Sequence, residues 1–133
     1  MKVFIVPPGD GEPDSGSDPF ASIDLTERGT FFFLYPYLLC IRDETGQLIE
    51  NCGYAHFDAA EVDRALHHLI AAREAANLKP ESFEQHVGRQ VTPVHQELYE
   101  TVARSELLDT IDQLANAFRK AKDLGMDVYC VSE

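Results

Sequence analysis

Cysteine is scarce in this chain of 133 residues, which contains only Cys40, Cys52 and Cys130. Three cysteines are too few, and odd in number, for the disulfide framework of a small secreted protein. We therefore expect free thiols and a reducing compartment, the cytoplasm. One pairing stays open, because a chain reversal at Gly46 would bring Cys40 close to Cys52.

Long apolar segments are lacking too. The longest run, residues 31–41, contains Pro36 and falls far short of the about 20 residues that a helix needs to cross a bilayer. The apolar stretch 1–6 is too short for the core of an export signal. We expect neither a membrane span nor an export signal.

Positive charge is in short supply. The chain has 11 Lys and Arg against 23 Asp and Glu, and its net charge is -12. A field of that sign repels phosphate backbones and anionic lipids, so we predict no nucleic-acid partner and no membrane partner. The same field accelerates association with a protein of opposite charge.

Motifs for catalysis and for cofactor binding are missing as well. The sequence has no Gly-x-Ser-x-Gly elbow, no glycine-rich phosphate loop and no His-Glu-x-x-His pair, so we expect no cofactor. The acids within 9–19 suggest a calcium loop, but Ser15 and Ala21 stand where an EF-hand needs Gly and Glu. Because 9–19 holds only Gly, Pro, Ser and acids, we predict a mobile acidic loop there and no metal site.

Length and composition indicate a single domain over 1–133, since domains typically have about 100–150 residues. Hydrophobic residues make up 44% and charged residues 26%, close to the globular average. The predicted order is strand, acidic loop, hairpin, helix, short irregular region, strand, helix and strand. That order indicates an α+β fold, a small mostly antiparallel sheet with two main helices packed on one face.

Aromatic residues are concentrated in one short segment. Five of the 8 Phe and 5 Tyr residues lie within 31–37. Apolar runs on both sides of Gly46 predict a β-hairpin with strands over 30–41 and 48–57, although Pro36 conflicts with a central strand. Either the first strand is enclosed by the core or its outer side is an interface, and the interface candidates are Phe31, Phe32, Phe33, Tyr35 and Tyr37.

Asp58 and Glu61 form a capping box that predicts a helix from this point to about Asn77. Arg73 falls on the apolar stripe of that helix, where a guanidinium needs a carboxylate partner or a route to solvent. The functional alternative is that Arg73 faces a binding site, so we count it among the interface candidates. Residues 79–81 can open a further turn closed by Gly88.

The segment 93–124 cannot be one amphipathic helix, because the apolar residues before Arg104 would lie on the opposite side of that helix from those after it. We predict a strand over 97–103, a helix capped at Ser105 and a helix end at Gly125. Two helices that meet at a kink near Arg104 are the alternative. Residues 126–131 then form a closing strand.

Cys52 has polar neighbours and is followed by His56, and such a pair can serve nucleophilic or metal chemistry. A cleft between the predicted hairpin and the irregular region would collect further polar side chains. The candidates for such a cleft are Cys52, Tyr54, His56, Arg89, His95 and Glu97.

Charge, size and the lack of motifs favour a non-catalytic protein-binding module with an acidic surface. Small acidic inhibitors and immunity-type proteins that neutralise a basic partner belong to this class. One alternative is a small enzyme that depends on cysteine and histidine or on a metal. The other is a structural subunit in which residues 31–37 pair with a second copy of the chain.

Overall fold

A computed structural model describes residues 1–14 and 16–132 of the chain. Ser15, within the predicted acidic loop, lies outside the described residues. The elements in the described part are β1 (Lys2–Val6), β2 (Ala21–Ser22), α1 (Arg28–Thr45), β3 (Gly53–Phe57), α2 (Ala59–Asn77), β4 (Ser82–Gln90), β5 (Gln96–Ala103), α3 (Arg104–Leu124) and β6 (Asp127–Ser132). The predicted α+β class is confirmed.

The main sheet has the order β2-β1-β6-β3, and each neighbouring pair is antiparallel. Because side chains alternate along a strand, one face carries the buried Val3, Ala55, Phe57 and Val128. Helices α2 and α3 cover this face, and the ring of Phe57 meets that of Phe118 on α3 at 5.1 Å. The opposite face carries Phe4, Tyr54, His56 and Tyr129.

Helix α1 replaces the first strand of the hairpin that the sequence predicts over 30–57, so the hairpin is wrong. Of its predicted second strand, 48–57, residues 53–57 do form a strand, β3. Residues 31–41 are apolar at both odd and even positions, which is why they resemble a buried strand. In α1 the reason is different, because α2 covers one side of the helix and β4 and β5 cover another. Buried residues recur at helical spacing along it, namely Gly29, Thr30, Phe33, Leu34, Leu38 and Ile41.

The two residues that pointed to strands have other roles in α1. Pro36 lies on the exposed side, where the carbonyl that loses its helical partner can bond to water. Gly46 has φ 77 and ends the helix, with its N–H donating to the carbonyl of Arg42 at 2.7 Å. A hairpin turn and a left-handed helix cap both require a positive φ, so Gly46 suits either structure.

The hairpin of this fold is formed by β4 and β5, which pair in a separate two-stranded sheet with a register shift between His86 and Gly88. The predicted strand over 97–103 is confirmed, and the alternative of two helices is wrong. The further turn predicted from 79–81 is also wrong, because the chain is extended from Ser82 onwards.

Four helix ends test the predictions for where α2 and α3 begin and end. Asp58 and Glu61 form the capping box of α2, which ends at Asn77, and Gly125 caps α3 with φ 64, so these predictions are confirmed. The cap at Ser105 is wrong, because β5 runs directly into α3 and Ala103 is the N-cap residue.

The β4–β5 hairpin is held closely against the start of α1. The backbone N–H of Gly29 donates to Oε2 of Glu100 at 3.3 Å, and Arg28 lies 3.6 Å from the same carboxylate. A Cβ on Gly29 would lie 2.5 Å from Cγ2 of Val102. Only glycine lets the helix approach this strand so closely.

All three cysteines lie within the described residues and are unpaired, so the expected free thiols are confirmed and the Cys40–Cys52 pairing is wrong. None of the helices in 1–14 and 16–132 combines the length and apolar character of a membrane span. The acids of the predicted loop line a cavity with Phe4 and Val6 beside the outer face of the main sheet. The mobility of the loop stays a prediction.

Candidate functional site

A groove of about 290 Å³ separates the segment that leads into α1 from the first half of α3. Its walls carry four carboxylates, and none of the described residues that line it is Lys, Arg or His. We call it the acidic groove, and its lining residues are Ser22, Ile23, Asp24, Glu27, Thr30, Glu106, Asp109, Thr110 and Gln113.

Two local arrangements place these carboxylates. On α3, Glu106 and Asp109 are three residues apart and therefore lie on the same side of the helix. On the other wall, the backbone N–H of Thr26 donates to Oδ1 of Asp24 at 2.8 Å. The Thr26 hydroxyl, followed by this N–H, lowers the pKa of Asp24. Asp24 is therefore ionised at neutral pH.

Thr30 forms part of the wall of the acidic groove from the first turn of α1. Only 7% of its surface is exposed, yet it borders the groove.

Beside the groove, α1 presents three aromatic rings, those of Phe31, Phe32 and Tyr35. Their centroids are 5.5 to 6.4 Å apart, and Phe32 is 37% exposed. We call them the aromatic patch. Phe31 lies one turn after Glu27, to whose carbonyl its N–H donates at 2.9 Å, so the patch continues the same side of α1 beyond the groove.

The other two aromatic interface candidates point elsewhere. Phe33 is 8% exposed, and its ring lies 6.0 Å from that of Phe83 on β4 and 6.2 Å from that of Tyr37. These rings fill the space between α1 and the hairpin. The aromatic segment thus divides into a packed half and a half that reaches solvent.

Arg73 binds a carboxylate of the neighbouring helix. Its Nε donates to Oδ1 of Asp112 at 2.6 Å and joins α2 to α3. Both side chains also line a groove with Glu74 and Arg119. This partner accounts for a guanidinium on the apolar stripe.

The six cleft candidates are distributed over two sheets. Tyr54 and His56 lie on β3, and Cys52 precedes them in the loop. Arg89 and Glu97 face each other across β4 and β5, with Nε of Arg89 donating to Glu97 at 2.8 Å, and His95 lies in the connecting loop. The structure thus brings Arg89 together with Glu97 in one sheet and keeps Tyr54 and His56 in the other.

On the main sheet, Nε2 of His56 lies 2.9 Å from Oδ2 of Asp127. Asp127 is 7% exposed, and the imidazole stacks on the ring of Tyr129 at 4.2 Å. The backbone N–H of His56 donates to the side chain of Gln47 at 3.0 Å. These contacts fix the orientation of the ring. Burial, followed by the proximity of Tyr129, raises the pKa of Tyr54.

On the hairpin, Glu97 accepts hydrogen bonds from both His86 and Arg89. The bond from His86, together with that from Arg89, lowers the pKa of Glu97. Among residues 1–14 and 16–132, no three His, Cys, Asp or Glu side chains are grouped so that they would hold a metal ion.

The chain matches no protein-family model, no curated protein and no solved structure with which it was compared. The acidic groove was missed at the sequence level because its walls come from segments about 80 positions apart, and no local pattern links Asp24 or Glu27 to Glu106.

Proposed function

We propose that this chain is a non-catalytic protein-binding module that engages a basic protein through its acidic groove and aromatic patch, as small acidic inhibitors and immunity-type proteins do. The observation that carries the proposal is the continuity of the two surfaces along α1. Glu27 belongs to the groove, and Phe31 belongs to the patch one turn later.

In this proposal the acidic groove attracts a basic partner and selects it over acidic proteins. Four carboxylates line it, no basic residue of the described chain does, and the chain as a whole carries a net charge of -12. Charge of one sign raises the association rate of a partner of opposite sign and disfavours acidic competitors.

The aromatic patch supplies the apolar contact. Phe32 is 37% exposed beside the rings of Phe31 and Tyr35. Aromatic side chains that lose water on binding are frequent hot spots, whereas single acids at a rim contribute less. We therefore expect the rings to set the lifetime of the complex and the carboxylates to set its rate of formation.

The test is affinity capture from the source cells with the full chain as bait, at about 50 mM and about 500 mM salt, where screening differs strongly. Mass spectrometry identifies the protein retained, and surface plasmon resonance then gives its Kd. We expect a basic protein that is retained at low salt. Phe32→Ala should weaken its binding by about 30-fold, and Glu27→Gln by less than that.

Tyr99→Ala is the matched control, because Tyr99 is an aromatic residue of the hairpin that is 57% exposed and lies outside the aromatic patch. Its Kd should equal that of the unmodified chain. Recovery of the bait alone, or a partner whose affinity is unchanged by both Phe32→Ala and Glu27→Gln, would overturn the proposal.

A further inference from the structure

We infer that α1 is the contact surface of a homodimer, in which the exposed side of this helix packs antiparallel against the same side of a second copy of the chain. The inference goes beyond the proposed function and does not depend on it. We call this side of the helix the α1 stripe, and its residues are Arg28, Phe32, Tyr35, Pro36, Leu39 and Asp43.

The α1 stripe is apolar in its middle and charged at both ends. Its residues recur every three or four positions and therefore lie on one side of the helix. Phe32 is 37% exposed and Pro36 is exposed too. At the ends, the side chains of Arg28 and Asp43 are 53% and 70% exposed. Although the chain has a net charge of -12, no charged residue lies within 29–41, so two copies can meet there without local repulsion.

The order of side chains along the α1 stripe is self-complementary. When a two-fold axis passes between positions 35 and 36 of an antiparallel pair, each residue faces the one equally far beyond the axis. Arg28 then faces Asp43 of the second copy, and Phe32 faces its Leu39. Each charged end meets the opposite charge, and each ring meets an apolar side chain. Arg28 lies 3.6 Å from Glu100 of its own chain, and a guanidinium has enough N–H donors for both carboxylates.

The dipole of the helix gives an independent reason for the antiparallel direction. Arg28 opens α1, whose first turn contains no acidic residue, and Asp43 lies in the last turn. A helix is positive at its N-terminus and negative at its C-terminus, so both charges are unfavourable where they stand. An antiparallel second copy places Arg28 beside the C-terminus of the other helix and Asp43 beside its N-terminus, where both become favourable. A parallel pair does neither.

The dimer also bears on partner binding. A single pair of helices buries less surface than a standard protein interface, so we expect a weak dimer with a Kd of about 10–100 µM. Phe32 and Tyr35 belong both to the α1 stripe and to the aromatic patch. A second copy and the basic partner therefore compete for the same surface, and the monomer is the form that binds the partner.

The experiment is sedimentation equilibrium of the full chain from about 1 to about 500 µM, a range that brackets the expected Kd. We expect a monomer–dimer equilibrium. Phe32→Lys and Leu39→Glu should each weaken self-association by more than about 30-fold, since each change is repeated at the symmetric contact. Circular dichroism checks that both variants keep their helices.

The mixture of these two variants tests the register. The introduced lysine of one chain faces the introduced glutamate of the other, while the remaining contact pairs the native Leu39 and Phe32. An equal mixture should therefore associate although each variant alone does not.

Asp43→Arg tests the charged ends, because it sets two cations against each other at both of them. It should weaken the dimer by at least about fivefold. Asp123→Arg is the matched control, since this exposed residue of α3 lies outside the α1 stripe and its replacement changes the net charge equally. Its Kd should equal that of the unmodified chain. Asp43 lies outside the acidic groove and the aromatic patch, so the basic partner should still capture Asp43→Arg.

A chain that stays monomeric throughout would overturn the inference, as would a mixture of Phe32→Lys and Leu39→Glu that does not associate. Equal effects of Asp43→Arg and Asp123→Arg would overturn the antiparallel register. A monomeric chain that captures a basic partner through Phe32 would overturn the dimer and leave the proposed function standing. A dimer that captures no partner would do the reverse.

Discussion

Nε of Arg73 on α2 donates to Oδ1 of Asp112 on α3 at 2.6 Å, and the two side chains remain 43% and 40% exposed. The pair joins the two helices that cover the main sheet. Because water still reaches both groups, their attraction is largely screened. The contact therefore orients the helices more than it stabilises the fold.

We expect Arg73→Ala and Asp112→Ala to lower the free energy of unfolding each by about 1 kcal/mol or less, with a coupling of about 0.2–1 kcal/mol in the double variant. Urea denaturation of the three variants measures these values. A coupling well above that range would show that the pair is desolvated in solution.

Gly29→Ala should be strongly destabilising, by about 1–3 kcal/mol, since overpacking of a close contact forces neighbouring atoms to move. The added Cβ would lie 2.5 Å from Cγ2 of Val102, whereas a Cβ on Gly16 would have nothing within 4 Å. Thermal and urea unfolding should thus leave Gly16→Ala close to the unmodified chain. In a Val102→Ala background, Gly29→Ala should lose most of its effect, and an unchanged effect would contradict this account.

Neighbouring phenylalanines of α1 should respond differently to truncation. Phe33→Ala removes a ring that is 8% exposed and packed against Phe83, so we expect a loss of about 3–5 kcal/mol of stability. Phe32 is 37% exposed, and Phe32→Ala should keep most of the stability while losing partner binding. Equal destabilisation by both changes, measured by urea denaturation, would mean that the aromatic patch is part of the core.

The three thiols should differ in reactivity. Cys40 and Cys52 are exposed and Cys130 is buried, and burial raises the pKa of Cys130 from its ordinary value of 9.0 to about 12. At about pH 8, a disulfide reagent such as dithionitrobenzoate should modify two thiols rapidly and the third only on unfolding, because the thiolate is the reactive form. Rapid modification of all three in the native protein would contradict the burial.

The raised pKa of Cys130 also predicts how the stability of the chain changes at alkaline pH. The folded chain keeps the Cys130 proton at a pH where the unfolded chain releases it, so the stability that this group contributes is complete below pH 9 and is lost as pH rises towards about 12. The difference in unfolding free energy between the unmodified chain and Cys130→Ala should therefore shrink as pH rises through this range. Denaturation at several pH values measures it, and a constant difference would contradict the raised pKa.

Several elements follow from local sequence because their signals are satisfied locally. The side chains of Asp58 and Glu61 each accept a hydrogen bond from the other's backbone N–H within one turn. Gly125 ends α3 in the left-handed conformation. Both helix ends can therefore be recognised without a distant partner. The strand before α3 is also visible, because the phase of the apolar positions changes near Arg104. The density of aromatic residues within 31–37 also singles out Phe31, Phe32 and Tyr35.

The sequence by itself determined the α+β class, the limits of α2, the end of α3 and the excess of acid, since these depend on capping, periodicity and composition. Only the tertiary structure decided that 28–45 is a helix. A segment covered on two sides shows neither helical nor strand periodicity in its apolar residues, and Gly46 suits a hairpin turn as well as a helix end. The tertiary structure alone formed the acidic groove, since Asp24, Glu27 and Thr30 line it together with Glu106 from a segment about 80 positions away, which no local pattern encodes.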